Sequence, residues 1–280
     1  MENPVRYILT LRCLDAPGVI HAVSGAILDI SGNILEQGQF TDEHTGIFSM
    51  RTRFETSRTD IAVFSAVADA TARYSPLITL RNEAVQRRAL IMVSHEDHCL
   101  VDLLYRHANG ELPIDIPMIV SNHATCAAVA EQYGIPFTHI TASSKEEAEA
   151  QLKGIIDDLA VDVIILARYM QILTESFCAD FLGRIINIHH SFLPGFKGAR
   201  AYHQAFERGV KLIGATAHFV TAELDEGPII EQDVERVSHN QTAEDLAQIG
   251  RDLERVVLAR AVRLYAEDRV LLDGKRTVIF

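Results

Sequence analysis

The run Ala89-Leu90-Ile91-Met92-Val93-Ser94-His95-Glu96-Asp97-His98-Cys99-Leu100 decides the architecture. Its apolar start reads as a strand buried on both faces, and its polar turn opens onto a helix-length segment, residues 100–107. The alternation repeats downstream. Further strands are expected at residues 117–121, 137–140, 163–166 and 185–188, with helices near 126–133, 145–159 and 174–181. Strands alternating with helices imply a mostly parallel, doubly wound α/β sheet. After His203 longer strands follow, around residues 213–220 and 228–237. A closing amphipathic helix is expected over 242–268, with Thr242 as its cap and Asp245 in its first turn.

Upstream of Ala89 the rhythm differs. Strands at residues 6–13, 34–40, 47–54 and 77–81 and helices at 19–30 and 60–74 give a βαββαβ order, that of a ferredoxin-like unit. Charged and polar residues 83–88 separate the two patterns as a linker would. The reading is therefore two domains, residues 1–84 and 85–280. In the first, Asp15-Ala16-Pro17-Gly18 joins a turn-former, a fixed φ and a permissive glycine directly before a helix whose first N–H groups are unpaired. Such a turn can hold a small carboxylate. The same residues also suit an ordinary tight turn without a ligand.

A chain of 280 residues agrees with two domains, and 48% apolar against 23% charged residues is the balance of a folded protein. The formal charge of −12 argues against a general nucleic-acid surface, since phosphate binding draws on clustered Lys and Arg. Residues 1–6 lead straight into a strand pattern without an apolar signal segment, and no apolar run approaches membrane-spanning length. Cys13, Cys99, Cys126 and Cys178 are far apart, which fits neither a zinc knuckle nor a disulfide framework. A reducing cytoplasm is the expected setting.

Chemistry is expected beyond the carboxyl ends of the strands, where open parallel sheets bind ligands. Ile185-Ile186-Asn187-Ile188-His189-His190-Ser191-Phe192-Leu193-Pro194 is an apolar strand that turns polar as it leaves the sheet. Alternation places Asn187 and His189 on one face. A second segment runs from His218 through Thr221, Glu223 and Asp225 to Gly227-Pro228. If that loop folds back, Asp225 approaches His189 and favours its charged form. Asn, His and Asp supply an oxyanion donor, an ionisable donor and a base, enough for acyl transfer without a covalent enzyme intermediate. His218 is expected to hold Asp225 in place, or merely to pack. His190 and His203 are left without a role. His95 and His98 are spaced wrongly for a helical HExxH metal site, and no GxGxxG follows the first strand of the second half.

These motifs, Asn187 to Pro194 followed by Leu224-Asp225-Glu226-Gly227-Pro228-Ile229-Ile230, resemble the folate-dependent formyltransferase family over the whole region from Ala89 onward. The resemblance implies Asn187, His189 and Asp225 as the catalytic trio. It also implies a pterin site around Ala167-Arg168-Tyr169-Met170-Gln171-Ile172-Leu173, with Tyr169, Met170, Gln171, Leu173, Val220 and His218 as substrate contacts, although Met170 and Leu173 suit core packing equally. Gln171 stands where several relatives carry Arg. The first domain resembles ACT domains, which bind amino acids between paired copies. That implies Asp15, Gly18 and Asn33 as effector contacts, a small amino acid such as glycine or methionine as effector, and a homodimer or homotetramer.

The ACT-like fusion and the pair His189-His190 resemble the hydrolytic branch of the family, as do residues 94–100 and Gly198-Ala199-Arg200-Ala201-Tyr202-His203-Gln204-Ala205. His95 departs from the lysine expected in that branch. Phosphate-binding turns are glycine-rich so that backbone N–H groups can approach the anion, whereas here His95, Glu96 and Asp97 fill the turn with two carboxylates. Water is then the expected acceptor. The implied substrate is 10-formyltetrahydrofolate, the products formate and tetrahydrofolate, with no cofactor and no metal, and the implied purpose is formate supply for purine synthesis. Two alternatives stand beside this reading: a formyltransferase to another amine, and an amino-acid sensor with a decayed enzyme core.

Overall fold

The computed structural model describes residues 4–195 and 201–280. Residues 198–200 of the segment quoted above lie outside that range. The chain divides into two compact units. One comprises Met1–Gln86 together with Asp268–Leu271 and Val278–Phe280, the other Arg87–Glu267 with Leu272–Thr277.

The first unit contains β1 (Val5–Leu14), α1 (Val19–Asp29), β2 (Asn33–Asp42), β3 (Ile47–Thr56), α2 (Asp60–Thr71) and β4 (Leu77–Asn82). The sheet order β2-β3-β1-β4, antiparallel throughout, is the ferredoxin-like arrangement. Alternate residues of β1, Tyr7, Leu9 and Leu11, meet Val23 and Ile27 of α1 and Val63 and Val67 of α2 in one core, which explains why both helices lie on one face. The chain's last segments return to this unit. Asp268 pairs with Arg81 at 2.6 Å, Arg269 with Glu36 at 3.2 Å, and the Phe280 ring occupies the space beside Gly38. The sequence reading placed these segments in the second domain.

The second unit contains β5 (Arg87–Val93), α3 (His98–Ala108), β6 (Ile114–Ser121), α4 (Ala127–Gln132), β7 (Phe137–His139), α5 (Lys145–Asp158), β8 (Val163–Leu166), α6 (Glu175–Asp180) and β9 (Ile185–His189). It continues with α7 (Ala201–Glu207), β10 (Leu212–Phe219), β11 (Ile229–Arg236) and α8 (Ala243–Ala266). A hairpin, β12 (Val270–Asp273) and β13 (Arg276–Ile279), follows. The main sheet runs β11-β10-β9-β8-β5-β6-β7. Pairings from β7 to β9 are parallel, and β10 and β11 add on antiparallel. Local chemistry sets the helix starts: Ser144 and Thr174 cap α5 and α6, and Thr242 with Asp245 forms a reciprocal capping box on α8. The proline in β6 is accommodated by a register shift between Arg88 and Leu90 of β5, opposite the missing N–H of Pro117.

Candidate active site

The site begins with a cross-strand pair. Antiparallel registration of β9 and β10 sets Asn187 opposite His218 and His189 opposite Thr216. Side chains directly opposite one another in a sheet interact. Here the Asn187 side-chain amide lies 3.3 Å from His218 Nε2. The tautomer follows from the other end of the ring, where Nδ1 lies 2.8 Å from the Phe219 carbonyl and must donate to it. Burial pushes the His218 imidazole below its ordinary pKa, with a weaker contribution from His189, so the ring is neutral and Nε2 accepts. The amide NH2 of Asn187 is thereby fixed as a donor. His218 thus orients the Asn187 amide, and its Nε2 also stands 3.9 Å from the Asp225 carboxylate, longer than a hydrogen bond.

The loop after β10 does fold back. Phe219 N–H bonds the Pro228 carbonyl at 2.9 Å, and a Cβ on Gly227 would overlap the Phe219 carbonyl, so only glycine allows this approach. Asp225 itself adopts φ 57°, a left-handed conformation that Asp tolerates better than most residues. Its carboxylate lies 3.2 Å from His189 Nδ1, with the two side chains only 7% and 6% exposed. Three polar side chains from a strand end and a distant loop thus meet in a nearly dry pocket, where each charge acts with little screening.

His190 is the buried neighbour. Its ring stands 5.0 Å from that of His189 and edge-on to Tyr202 at 5.9 Å, and its Nδ1 has no hydrogen-bond partner among the described residues. Burial, with the charge of Arg168 behind it, pushes its pKa down to about 4. It is neutral in the folded protein near pH 7.

Asn187, His189, His218 and Asp225 open into a cavity of about 280 Å³ whose other walls include Tyr169, Met170, Gln171, Leu173 and Val220. Every site residue expected in the second half therefore lines one cavity. A second cavity of about 390 Å³ shares Tyr169, Gln171, Ile172 and Leu173 and reaches His139 and Lys145. Adjoining cavities with common apolar walls suit an elongated ligand with polar ends. Residues 168–170 are fastened to the end of β5: Ser94 N–H donates to the Arg168 carbonyl at 3.2 Å, and Met170 N–H donates to Ser94 Oγ at 3.0 Å.

Arg168 was not singled out from the sequence. Its guanidinium, 11% exposed, lies 2.8 Å from Glu96 and 3.6 Å from Glu254. Glu254, from the middle of α8, also accepts from Tyr202 and bonds His98 Nε2, both at 2.8 Å. Burial pushes this carboxyl up, but the His98 bond and the Arg168 charge outweigh it and hold it below the usual range. Among the described residues His98, Cys99 and Glu254 bring metal-capable atoms within 4.8 Å of one another. The carboxylate there already has a cation in the Arg168 guanidinium, and burial keeps the Cys99 thiol protonated, so the donor set fits an ion-pair network better than a metal.

In the first unit, Asp15 and Gly18 occupy the β1–α1 turn and Asn33 opens β2, all exposed. Gly18 caps α1 at φ 95° without a side-chain cap. The Tyr74 hydroxyl lies against it and donates to the Pro17 carbonyl at 3.1 Å, a contact that pattern reading did not expect.

Comparison with known proteins brings this geometry into a family. The family model for formyl transferases matches residues 87–262. The formyltetrahydrofolate deformylase of Synechocystis is 45% identical over 287 residues, covering 100% of both chains. The crystal structure of the Burkholderia mallei formyltetrahydrofolate deformylase superposes with a TM-score of 0.94 at 47% identity, covering 99% of this chain and 100% of that one. The chain belongs to the formyltetrahydrofolate deformylase family. What separates deformylases from their transferase cousins is visible in the coverage. The glycinamide ribonucleotide transformylase of Symbiobacterium toebii, 32% identical with a TM-score of 0.68, spans 96% of its own length but only 72% of this chain. Deformylases match both units.

Proposed function

We propose that this chain hydrolyses 10-formyltetrahydrofolate to formate and tetrahydrofolate. The observation that carries the reading is the convergence of Asn187, His189 and Asp225 at one cavity, in a chain that aligns with deformylases along its whole length. With Nδ1 of His189 committed to Asp225, its Nε2 is the nitrogen that meets the formyl group. Water attacks the formyl carbon and loses a proton to the His189–Asp225 pair. The Asn187 amide and protonated His189 stabilise the oxyanion. The carbon–N10 bond then breaks, N10 takes the proton, and formate and tetrahydrofolate leave. The proton belongs to the coupled pair rather than to either residue.

The adjoining cavities hold the folate along the 169–173 wall. No cofactor enters this scheme. The first unit is the regulatory part of the reading: a small amino acid binding near Asp15, Gly18 and Asn33 controls turnover in a homodimer or homotetramer, and the formate feeds purine synthesis in the cytoplasm. Incubation with 10-formyltetrahydrofolate and no amine tests the activity. Formate should appear with multiple turnovers. Turnover that starts only when an amine is added would replace the hydrolase by a transferase.

A further inference from the structure

The connections of the main sheet change direction between β5 and β8: the chain runs outward from β5 to β6 and β7, then returns to β8 and continues to β9. Such a switch point is where open parallel sheets admit ligands beyond the carboxyl ends of their strands. In this chain the crevice is strapped. Glu96, in the turn after β5, grips Arg168, in the turn after β8, with its carboxylate 2.9 Å from Nε and 2.8 Å from Nη2. The backbone bonds between Ser94 and residues 168–170 run alongside. Behind the strap Glu254, 1% exposed, stands 3.6 Å from the same guanidinium and is held by His98 and Tyr202.

Arg168 lines the cavity that contains Asn187 and His189. An acceptor larger than water needs a subsite beside that trio, and a guanidinium is the group that would hold a phosphate there by paired hydrogen bonds. Its donors are instead turned to carboxylates on two sides. An anionic acceptor drawn to Arg168 would meet the Glu96 carboxylate already on its guanidinium, where it needs a free cation.

We infer that the Glu96–Arg168 strap is the acceptor filter of this enzyme, closing the switch-point crevice to phosphorylated amines and leaving water to take the formyl group. This rests on the hydrolase reading above. Glu96 is half exposed, so its replacement leaves the fold intact. The full-length wild type, Glu96→Ala and Glu96→Gln are incubated with 10-formyltetrahydrofolate and phosphoethanolamine, with ethanolamine as the uncharged-tail control. When the amine attacks, the carbon–N10 bond breaks, the formyl carbon bonds the amine nitrogen, the amine proton passes to the His189–Asp225 pair and N10 is protonated. The ratio of N-formylphosphoethanolamine to formate is expected to rise roughly tenfold or more in Glu96→Ala. It should rise less in Glu96→Gln, whose carbonyl still accepts from Arg168, and less with ethanolamine. An unchanged ratio in Glu96→Ala with formate release retained overturns the inference. So does loss of formate release in both variants, which would put Glu96 in hydrolysis itself. A wild type that releases no formate without amine would instead bring down the hydrolase reading.

Discussion

The turn that leaves β1 and the loop that leaves β10 are made of similar parts, Asp15 shortly before Gly18 in one and Asp225 shortly before Gly227 in the other. In the first the glycine takes the left-handed conformation, φ 95°, and the aspartate is exposed, its backbone N–H bonded to the Gly46 carbonyl at 2.8 Å. In the second the aspartate takes it, φ 57°, and the glycine is needed for close approach to Phe219. The exchange of roles turns Asp225 inward against His189. Turn chemistry is thus common to both. Enclosure beside an imidazole is what lets one of the two carboxylates serve as the base in the proposed mechanism.

The comparison fails most visibly if the two aspartates behave alike. Asp225→Asn should lower kcat by about three orders of magnitude, and Asn187→Ala or His189→Ala by two to three, while Asp15→Asn leaves basal formate release within about twofold. Rapid-quench formate assays on folded protein decide this. Equal losses at Asp15 and Asp225 would remove the distinction. The glycines give a smaller contrast, in stability. Gly227→Ala should cost roughly 2 to 4 kcal/mol because backbone must move, and Gly18→Ala about 1 to 2 kcal/mol, from the positive φ that alanine disfavours, since the ends of Tyr74 and Arg73 can yield. Urea unfolding measures both, and a reversed order would show that the β10 loop is less constrained than described.

The smallest effect sharpens what enclosure does to a neighbour. His190, pushed down to about 4, is neutral in the folded protein while the unfolded chain titrates near 6.5. Between these values the unfolded state binds more protons, so stability is complete above pH 6.5 and is lost as pH falls toward 4. Between pH 7 and pH 5 this amounts to roughly 1 to 2 kcal/mol. His190→Phe should reduce the fall in melting temperature over that range by the corresponding amount. An identical fall in the variant would refute the assignment.

Much of this was legible in the sequence because it is local. Apolar runs such as 163–166 and the Ser144, Thr174 and Thr242 caps announce their elements through nearest neighbours. The parallel order and the ferredoxin-like order follow from element sequence alone. The convergence of Asn187, His189 and Asp225 was suggested by spacing but depended on a loop bending back, and Gly227 was the only hint of how. Glu96 was read as a charge set against phosphate, but the contacts that join Arg168, Glu96, Glu254 and Tyr202 were opaque for a physical reason: the four come from separate segments, and no window of sequence holds more than one of them. The final hairpin, by contrast, carried a readable signal in Asp273-Gly274 between apolar residues. The 3₁₀ turn Ala72–Tyr74 that ends α2 was read as more helix, because Thr71 bonding back to the Val67 carbonyl gives no sign in composition.

Since Asp268–Leu271 and Val278–Phe280 fold with residues near the amino terminus, the first unit is discontinuous in the gene. A version trimmed to start at residue 87 would strand its own tail, leaving Asp268 and Phe280 without Arg81 and Gly38. The proposed effector control is therefore better dissected by single substitutions than by truncation. A recombination event that transplanted the amino-terminal half alone would likewise move an unfinished module, lacking the last strokes that complete it.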